Sequence, residues 1–114
     1  MKIPAQGKLL RVFLGESDKW HGKPLYEEIV LLARKEGLAG ATAVKGFMGF
    51  GRNSHLHTAK LLRLSEDLPI IIEIVDSEEK INRFLPHLDT MVRDGLITME
   101  DANVVFYRAN GSQA

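Results

Sequence analysis

Hydrophobic and polar residues alternate along two stretches of the chain, KLLRVFL at 8–14 and PIIIEIV at 69–75. Alternation with a period of two places the hydrophobic side chains on one face of a β-strand, so both stretches are predicted strands. The side chains that share the expected core face are Leu10, Val12, Leu14, Ile70, Ile72 and Ile74. Because Ile71 and Val75 add aliphatic bulk to the opposite face, we expect that face to be covered, and we favour self-association over a binding site for a partner.

Two further stretches carry hydrophobic residues at the helical period of three to four. The first begins near Pro24 and ends at Gly37, a residue suited to a helix C-terminus. The second follows Asp76 and Glu79, whose spacing resembles a capping box, and ends at Gly95. Their hydrophobic faces comprise Leu25, Ile29, Leu32 and Ala33 in the first helix, and Ile81, Phe84, Leu85, Leu88 and Val92 in the second.

Two less regular stretches complete the predicted sheet. Residues 40–50, GATAVKGFMGF, indicate a strand interrupted by glycines at its far end, and residues 103–108, NVVFYR, indicate the last strand. The resulting order, β-α-β-β-α-β, predicts an α+β ferredoxin-like fold in which two helices cover one face of a four-stranded antiparallel sheet. We expect a single domain over residues 1–114, with a frayed tail at 109–114.

Composition and charge narrow the classes of function. The chain has 114 residues, of which 45% are hydrophobic and 26% charged, the balance of a globular domain. Fifteen acidic and fifteen basic side chains cancel, so no field of one sign favours nucleic acid as a partner. The absence of cysteine excludes thiol nucleophiles and thiolate zinc sites. No apolar run approaches the ~20 residues of a membrane span and no signal peptide is evident, so we expect a soluble cytoplasmic protein.

A glycine-rich stretch, GFMGFGRNSHLHT at 46–58, carries the candidate chemistry. Glycines at this density indicate either a bulged strand end or a close approach of the backbone to another group. Successive amides in such a bend can bind an anion, and the guanidinium of Arg52 would add a fork suited to phosphate. His55 and His57 would share one face of a strand. Two ligands are too few for a tight metal site unless a trimer supplies more by symmetry, so we assign no metal, expect polar loop residues or ligand contacts there, and leave metal contacts open as the alternative.

Two separated motifs resemble the PII nitrogen-regulatory signalling proteins. They are GLAGATAVKGFMGFGR at 37–52, followed by HT, and LPIIIEIVDSEEKIN at 68–82. The segment GESDKWHGKPLYE at 15–27 also resembles the uncharacterised PII-like family of small bacterial and archaeal proteins. The motifs lie in the family's order across nearly the whole chain. The resemblance implies a homotrimer of ferredoxin-like subunits that bind ATP or ADP, with or without Mg²⁺, in the clefts between subunits.

By the same resemblance, the residues at the nucleotide would be Thr42, Gly49, Phe50, Gly51, Arg52, Glu73 and Ile97. Thr42 and Glu73 would lie near the adenine, and Ile97 would be an apolar contact of the base. The bend at Gly51 would offer its amide to phosphate, and residues 52–66 would form a flexible signalling loop. The family's partners imply a membrane transporter or a metabolic enzyme as the target, and a regulatory role without catalysis.

The sequence departs from the PII pattern at the phosphate-binding loop. Where the family has G-D-G-K, residues 97–104 read ITMEDANV, without the lysine. Glu100 and Asp101 would repel phosphate there unless they point away or hold Mg²⁺, and Arg108 is the remaining C-terminal basic residue. Two alternatives stay open: a metal- or anion-binding trimer like the CutA family, and an interaction module that binds no small ligand.

Overall fold

The structure, a computed structural model, describes residues 5–51, 57–58, 67–109 and 112–113. At 57–58, 109 and 112–113 it describes the backbone alone. In chain order the elements are β1 (Gln6–Gly15), β2 (Lys19–Trp20), β3 (Lys23–Pro24), α1 (Leu25–Lys35), β4 (Thr42–Lys45), β5 (Met48–Gly49), β6 (His57–Thr58), β7 (Pro69–Asp76), α2 (Glu78–Met91), β8 (Leu96–Asn103), β9 (Arg108–Ala109) and β10 (Ser112–Gln113).

The four longer strands form one antiparallel sheet in the order β4-β7-β1-β8, and both helices pack against one face of it. The predicted ferredoxin-like arrangement is therefore confirmed. In the central pair, Leu10 lies opposite Ile74 and Val12 opposite Ile72. Three two-residue pairings, β2 with β3, β5 with β6 and β9 with β10, add short hairpins outside the main sheet.

The core lies between the helices and one face of the sheet, where the period of the hydrophobic residues predicted it. The predicted core faces of β1 and β7 are buried along their whole length. Most of each predicted helix face is buried as well, while Leu32, Leu85 and Val92 pack at its margin. The helical residues that are buried are Leu25, Ile29, Ala33, Ile81, Phe84, Leu88 and Met91.

The last strand of the sheet differs from the prediction, because it runs over Leu96–Asn103 and not over residues 103–108. β8 is an edge strand with mostly exposed side chains, so its sequence, LITMEDAN, lacks the hydrophobic alternation of an inner strand. Its place in the sheet depends on backbone pairing with β1. The aliphatic stretch that favoured the later position is largely exposed instead, with Val105 85% and Phe106 63% accessible.

The start of α2 also differs from the predicted capping box. Ser77 is the N-cap, and its hydroxyl accepts a hydrogen bond from the N–H of Lys80 at 3.2 Å. Asp76 is still part of β7 and is completely buried, so its carboxylate cannot cap the helix in the predicted way. It accepts hydrogen bonds from the N–H groups of Ser77 at 2.6 Å and Ala39 at 2.9 Å instead. This carboxylate therefore ties the segment before β4 to the end of β7.

The opposite face of the sheet, here called the open face, carries no helix in the part of the chain that the structure describes. Four apolar side chains form a row that crosses all four strands of this face. Val44 lies directly opposite Ile71, Ile71 opposite Phe13, and Phe13 opposite Leu96. We call these four residues the apolar row. Ile71 and Val75 are half-buried, so the prediction that both faces of β7 carry aliphatic bulk is confirmed.

Candidate functional site

A cleft of about 730 Å³ opens at one end of the sheet, next to the start of the predicted signalling loop. We call it the loop-base cleft, and its volume is typical of small-molecule sites. Four segments meet in it: the end of β1, the bend after β5, the start of β7 and the turn between α2 and β8. Its lining includes Phe13, Gly15, Asp18, Gly49, Phe50, Gly51, Asp67, Pro69, Arg93, Asp94 and Gly95.

The glycines before the cleft accommodate Pro69, the first residue of β7. The N–H of Gly46 donates a hydrogen bond to the carbonyl of Pro69 at 2.7 Å. A Cβ atom would lie 2.9 Å from the Pro69 ring at Gly46 and 3.1 Å from it at Gly49. Of the two interpretations left open by the sequence, close approach to a neighbouring group therefore applies at these two positions, and the group is Pro69.

Next to these glycines the chain exposes large apolar side chains. Phe47 and Phe50 are both 74% accessible, and Met48 is 53% accessible. The backbone of β5 pairs with that of β6, with Gly49 opposite His57. The bend into the predicted loop is thus held by backbone pairing, and its apolar side chains face outward.

Two carboxylates anchor the backbone on the other side of the cleft. Asp18 accepts a hydrogen bond from the N–H of Gly15 at 3.0 Å, and Asp67 accepts one from the N–H of Ser17 at 2.9 Å. A Cβ atom at Gly15 would lie 2.5 Å from the Asp67 carboxylate, so the end of β1 can approach this carboxylate only as glycine. Asp67 therefore fixes the chain just before β7 against the end of β1.

The electrostatics of the cleft are acidic. Burial raises the pKa of the Asp18 carboxyl; the hydrogen bond from Gly15 opposes this effect, and the charges of Asp67 and Asp94 add to it. Arg93 is the cation among the described residues that line the cleft. A phosphate group in this cleft would therefore face one guanidinium and three carboxylates.

The structure places two of the predicted nucleotide residues together on the open face. Thr42 on β4 lies directly opposite Glu73 on β7. Glu73 accepts a hydrogen bond from Arg11 Nε at 2.8 Å, and the same guanidinium donates to Glu100 at 2.8 Å. The expected base contacts thus adjoin a three-residue ion network that crosses β7, β1 and β8.

The remaining predicted residues lie elsewhere or outside the described residues. Gly49, Phe50 and Gly51 line the loop-base cleft. Ile97 is half-buried against the core, on the helix-covered side of the sheet. Arg52 and His55 fall outside the described residues, and His57 is described by its backbone alone. One chain therefore does not bring the predicted set into a single pocket.

The acidic pair Glu100 and Asp101, which the sequence predicted to repel phosphate, forms ion pairs with residues of β1. Glu100 pairs with Arg11 on the open face, and Asp101 forms a salt bridge with Lys8. Arg108 stacks over the ring of Phe106, with its guanidinium carbon 4.0 Å from the ring centroid. The two carboxylates are thus paired with cations in the chain itself.

Sequence reasoning missed four polar residues of the cleft, Asp18, Asp67, Arg93 and Asp94. They come from three segments that only the fold brings together. The one local signal is position, because Asp18 follows the end of β1 closely and Asp67 nearly adjoins the start of β7. Charged residues at the ends of neighbouring strands meet at one edge of a sheet.

The described residues contain neither a metal cluster nor a membrane-spanning helix. Within 5–51, 67–109 and the short described pieces, no group of three or more His, Asp or Glu side chains has the arrangement to hold a metal ion. The same part of the chain contains no helix that is long and apolar enough to cross a membrane.

Comparison with known proteins identifies relatives along most of the chain. The family DUF190, described as Uncharacterized ACR, COG1993, matches residues 7–104. A UPF0166 protein from Aquifex aeolicus (strain VF5) is 40% identical over 99 residues, which cover 87% of this chain and 93% of that protein. A UPF0166 protein from Methanocaldococcus jannaschii is 41% identical over 100 residues, covering 87% and 92% of the two chains.

Solved structures with the same fold include those of CPII, a nitrogen regulatory PII-like protein from Thiomonas intermedia K12. CPII bound to ADP and bicarbonate superposes with a TM-score of 0.65 at 22% identity, covering 87% of this chain and 88% of CPII. CPII bound to ADP, AMP and acetate gives a TM-score of 0.62 at 21% identity, covering 91% and 92%. The family match and the UPF0166 relatives show that the chain belongs to the DUF190 family, and its fold is that of the PII-like protein CPII.

Proposed function

We propose that this protein is a regulatory protein that binds an adenine nucleotide between the subunits of a homotrimer and modulates a partner through residues 52–66. The observation that carries the proposal is the fold shared with CPII, whose solved structures contain ADP, with or without AMP. CPII is described as a nitrogen regulatory PII-like protein, which favours regulation over catalysis for this chain as well.

The distribution of the candidate residues supports a cleft between subunits. Thr42 and Glu73 adjoin each other on the open face, whereas Gly49 and Gly51 line the cleft at the end of the sheet. Two copies of the chain that associate through the open face could present both sets to one nucleotide. The apolar row supplies a surface for the second copy, because a row of exposed and half-buried hydrophobic residues across a sheet favours association.

The acidic lining of the loop-base cleft supports a role for Mg²⁺. Asp18, Asp67 and Asp94 would repel the phosphates of a bare nucleotide. Mg²⁺ commonly binds through one or two carboxylates together with the phosphates of its nucleotide. The described residues offer no metal site made of protein groups alone, so the cation would enter with the nucleotide. We therefore expect ATP and ADP to bind more tightly with Mg²⁺ than without it.

Signalling on this proposal is an order–disorder switch in residues 52–66. Ligand in the cleft would shift the loop only if it bound the ordered conformation more tightly. Phe47 and Phe50, both exposed at the base of the loop, would then be available to a partner protein. A membrane transporter or a metabolic enzyme is the class of partner that the PII resemblance implies.

The proposal is tested by thermal unfolding and calorimetric titration with ATP, ADP and AMP, each with and without Mg²⁺. A ligand at 100 times its dissociation constant adds about 2.7 kcal/mol to the free energy of unfolding, which shifts the midpoint measurably. We expect Arg52→Ala to abolish the shift. Arg83→Ala is the matched control, because Arg83 is an exposed helical residue paired with Glu79 and lies outside the loop-base cleft.

Two outcomes would contradict the proposal. The first is the absence of a shift with any adenine nucleotide, and the second is an equal loss in both arginine variants. Bicarbonate should be included in a parallel titration with ADP, since CPII is bound to both. A shift with Zn²⁺ or Cu²⁺ that requires His55 and His57, without any nucleotide effect, would favour the CutA-like alternative.

A further inference from the structure

The hairpin between β1 and α1 carries an unusual backbone. Its arms are β2 and β3, and the two residues that join them are His21 and Gly22. Both have positive φ, 50° and 81°, as a type I′ turn requires. Glycine adopts this conformation freely, and asparagine is the favoured residue before it. Among the described residues His21 is the non-glycine residue with positive φ, so its ring occupies a position where the backbone favours another residue.

The ring of His21 is held flat against a tryptophan. The centroids of Trp20 and His21 are 4.2 Å apart, and the ring planes are 16° from parallel. Trp20 is half-buried and packs against the core, whereas His21 is exposed. The stack therefore has a fixed inner ring and an outer ring that faces the surface.

This stack lines a second cavity, of about 550 Å³, which we call the hairpin cavity. Leu25 and Met91, both buried residues of the helices, contribute apolar lining. The charged residues that line it are Asp18, Lys19, Arg93 and Asp94. Asp18 is a fixed point of this cavity, because its carbonyl accepts a hydrogen bond from the N–H of Leu25 at 2.8 Å.

The lining indicates the chemistry of the ligand. Aromatic rings stack with flat rings, and an apolar floor favours them further. Two cations supply hydrogen-bond donors and two carboxylates supply acceptors, so the formal charges of the rim cancel. A ligand with a net charge of either sign would gain little electrostatic attraction from this rim. A neutral ring could bind to both the cations and the carboxylates, because its edge carries both hydrogen-bond donors and acceptors.

We propose that the hairpin cavity binds a planar, uncharged heteroaromatic ring of the purine type, stacked on His21. The site is separate from the nucleotide cleft of the proposed function, although Asp18, Arg93 and Asp94 line both cavities. The stacking explains why histidine stands at the first turn position. An asparagine there would suit the backbone and remove the ring.

Fluorescence tests the proposal directly, because Trp20 is the single tryptophan of the chain. Adenosine and guanosine, which lack phosphate, are titrated into the protein, and ribose is the non-aromatic control. We expect a saturable change in tryptophan emission with at least one nucleoside and none with ribose. His21→Asn should weaken the binding at least tenfold and leave the melting temperature no lower than that of the wild type, since Asn-Gly favours the turn.

Two further variants distinguish binding in the hairpin cavity from binding elsewhere on the chain. His87→Asn removes a histidine of α2 that pairs with Glu36 and lies outside the cavity, so it should leave the titration unchanged. Thr42→Ala should do the same, because Thr42 is an expected adenine contact of the proposed nucleotide site and lies outside the hairpin cavity, whereas a nucleoside bound at the nucleotide site would be weakened. The proposal is overturned if neither nucleoside gives a saturable change, if ribose gives the same change, or if His21→Asn binds as tightly as the wild type.

Discussion

Asp18 is one of the three residues that line both cavities. Its carboxylate accepts the N–H of Gly15 and its carbonyl accepts the N–H of Leu25, so one residue joins the end of β1 to the start of α1. These hydrogen bonds hold the side chain where burial and the charges of Asp67 and Asp94 disfavour its ionised form. The position thus combines a structural role with an electrostatic cost.

That cost has a definite pH dependence. The folded-state pKa of Asp18 is raised above its ordinary value of 3.8, so folding favours the protonated carboxyl. The penalty is absent below the unfolded-state pKa, grows as pH rises through the folded-state pKa, and is complete at neutral pH. Asp18→Asn keeps an oxygen that can accept the hydrogen bond from Gly15 and has no charge. We expect it to be more stable than the wild type at pH 7, by less than about 1 kcal/mol because solvent screens a part-exposed group.

Urea unfolding of both proteins at pH 3 and pH 7 measures this difference. The free energies of unfolding should converge at pH 3, where the wild-type carboxyl is protonated. A variant that is less stable than the wild type at pH 7 would show that the ionised carboxylate stabilises the fold, and would contradict the assignment.

At the scale of elements, the sequence predicts the strands and helices whose buried side chains recur with a regular period. Burial alternates at every residue from Pro69 to Asp76, so β7 is evident from its sequence alone. β8 is not evident, because an edge strand held by backbone pairing needs no hydrophobic alternation, and most of its side chains are exposed. The stretch with the stronger β-propensity lies beyond it and leaves Val105 and Phe106 exposed.

The residues of the candidate site likewise fall into a part that the sequence predicts and a part that it does not. The glycine-rich bend could be recognised because its motif is contiguous, and Gly49, Phe50 and Gly51 do line a cleft. The acidic lining could not be recognised, because Asp18 and Asp67 lie far apart in the sequence and meet only when β7 pairs with β1. Contacts between distant segments depend on sheet order and register, which hydrophobic patterns specify only in part.

Gly95 illustrates how an element boundary can have a second role. The sequence predicts it as the end of α2, but the helix ends at Met91 and Gly95 directly precedes β8, where a Cβ atom would lie 2.6 Å from the carbonyl oxygen of Phe13. Gly95→Ala should therefore push the start of β8 away from β1 and cost about 1–3 kcal/mol, as overpacking typically does. Gly40→Ala is the matched control, because no atom lies within 4 Å of a Cβ at that position. Thermal unfolding of both variants measures the difference, and equal midpoints would contradict the steric effect.

At the scale of the whole molecule, the open face is the largest feature that one chain leaves incomplete. The apolar row crosses it from Val44 to Leu96, and the network of Arg11, Glu73 and Glu100 lies beside that row. A hydrophobic row beside paired charges is typical of a surface that associates in a fixed orientation, since the apolar area favours contact and the charges restrict its geometry. The proposed trimer would use this face.

Ile71→Glu tests that assembly, because it places a charge in the middle of the apolar row, between Phe13 and Val44. Light scattering after size-exclusion chromatography should give three times the chain mass for the wild type and a single chain mass for the variant. Leu31→Glu is the matched control, since Leu31 is 59% accessible on α1, away from the open face. It should remain a trimer and still bind ADP.

Ile71→Glu, with a folded circular dichroism spectrum, should lose ADP binding, because the proposed nucleotide cleft needs two subunits. A wild type that elutes as a single chain, or an Ile71→Glu trimer that binds ADP normally, would contradict both the assembly and the place of the nucleotide within it.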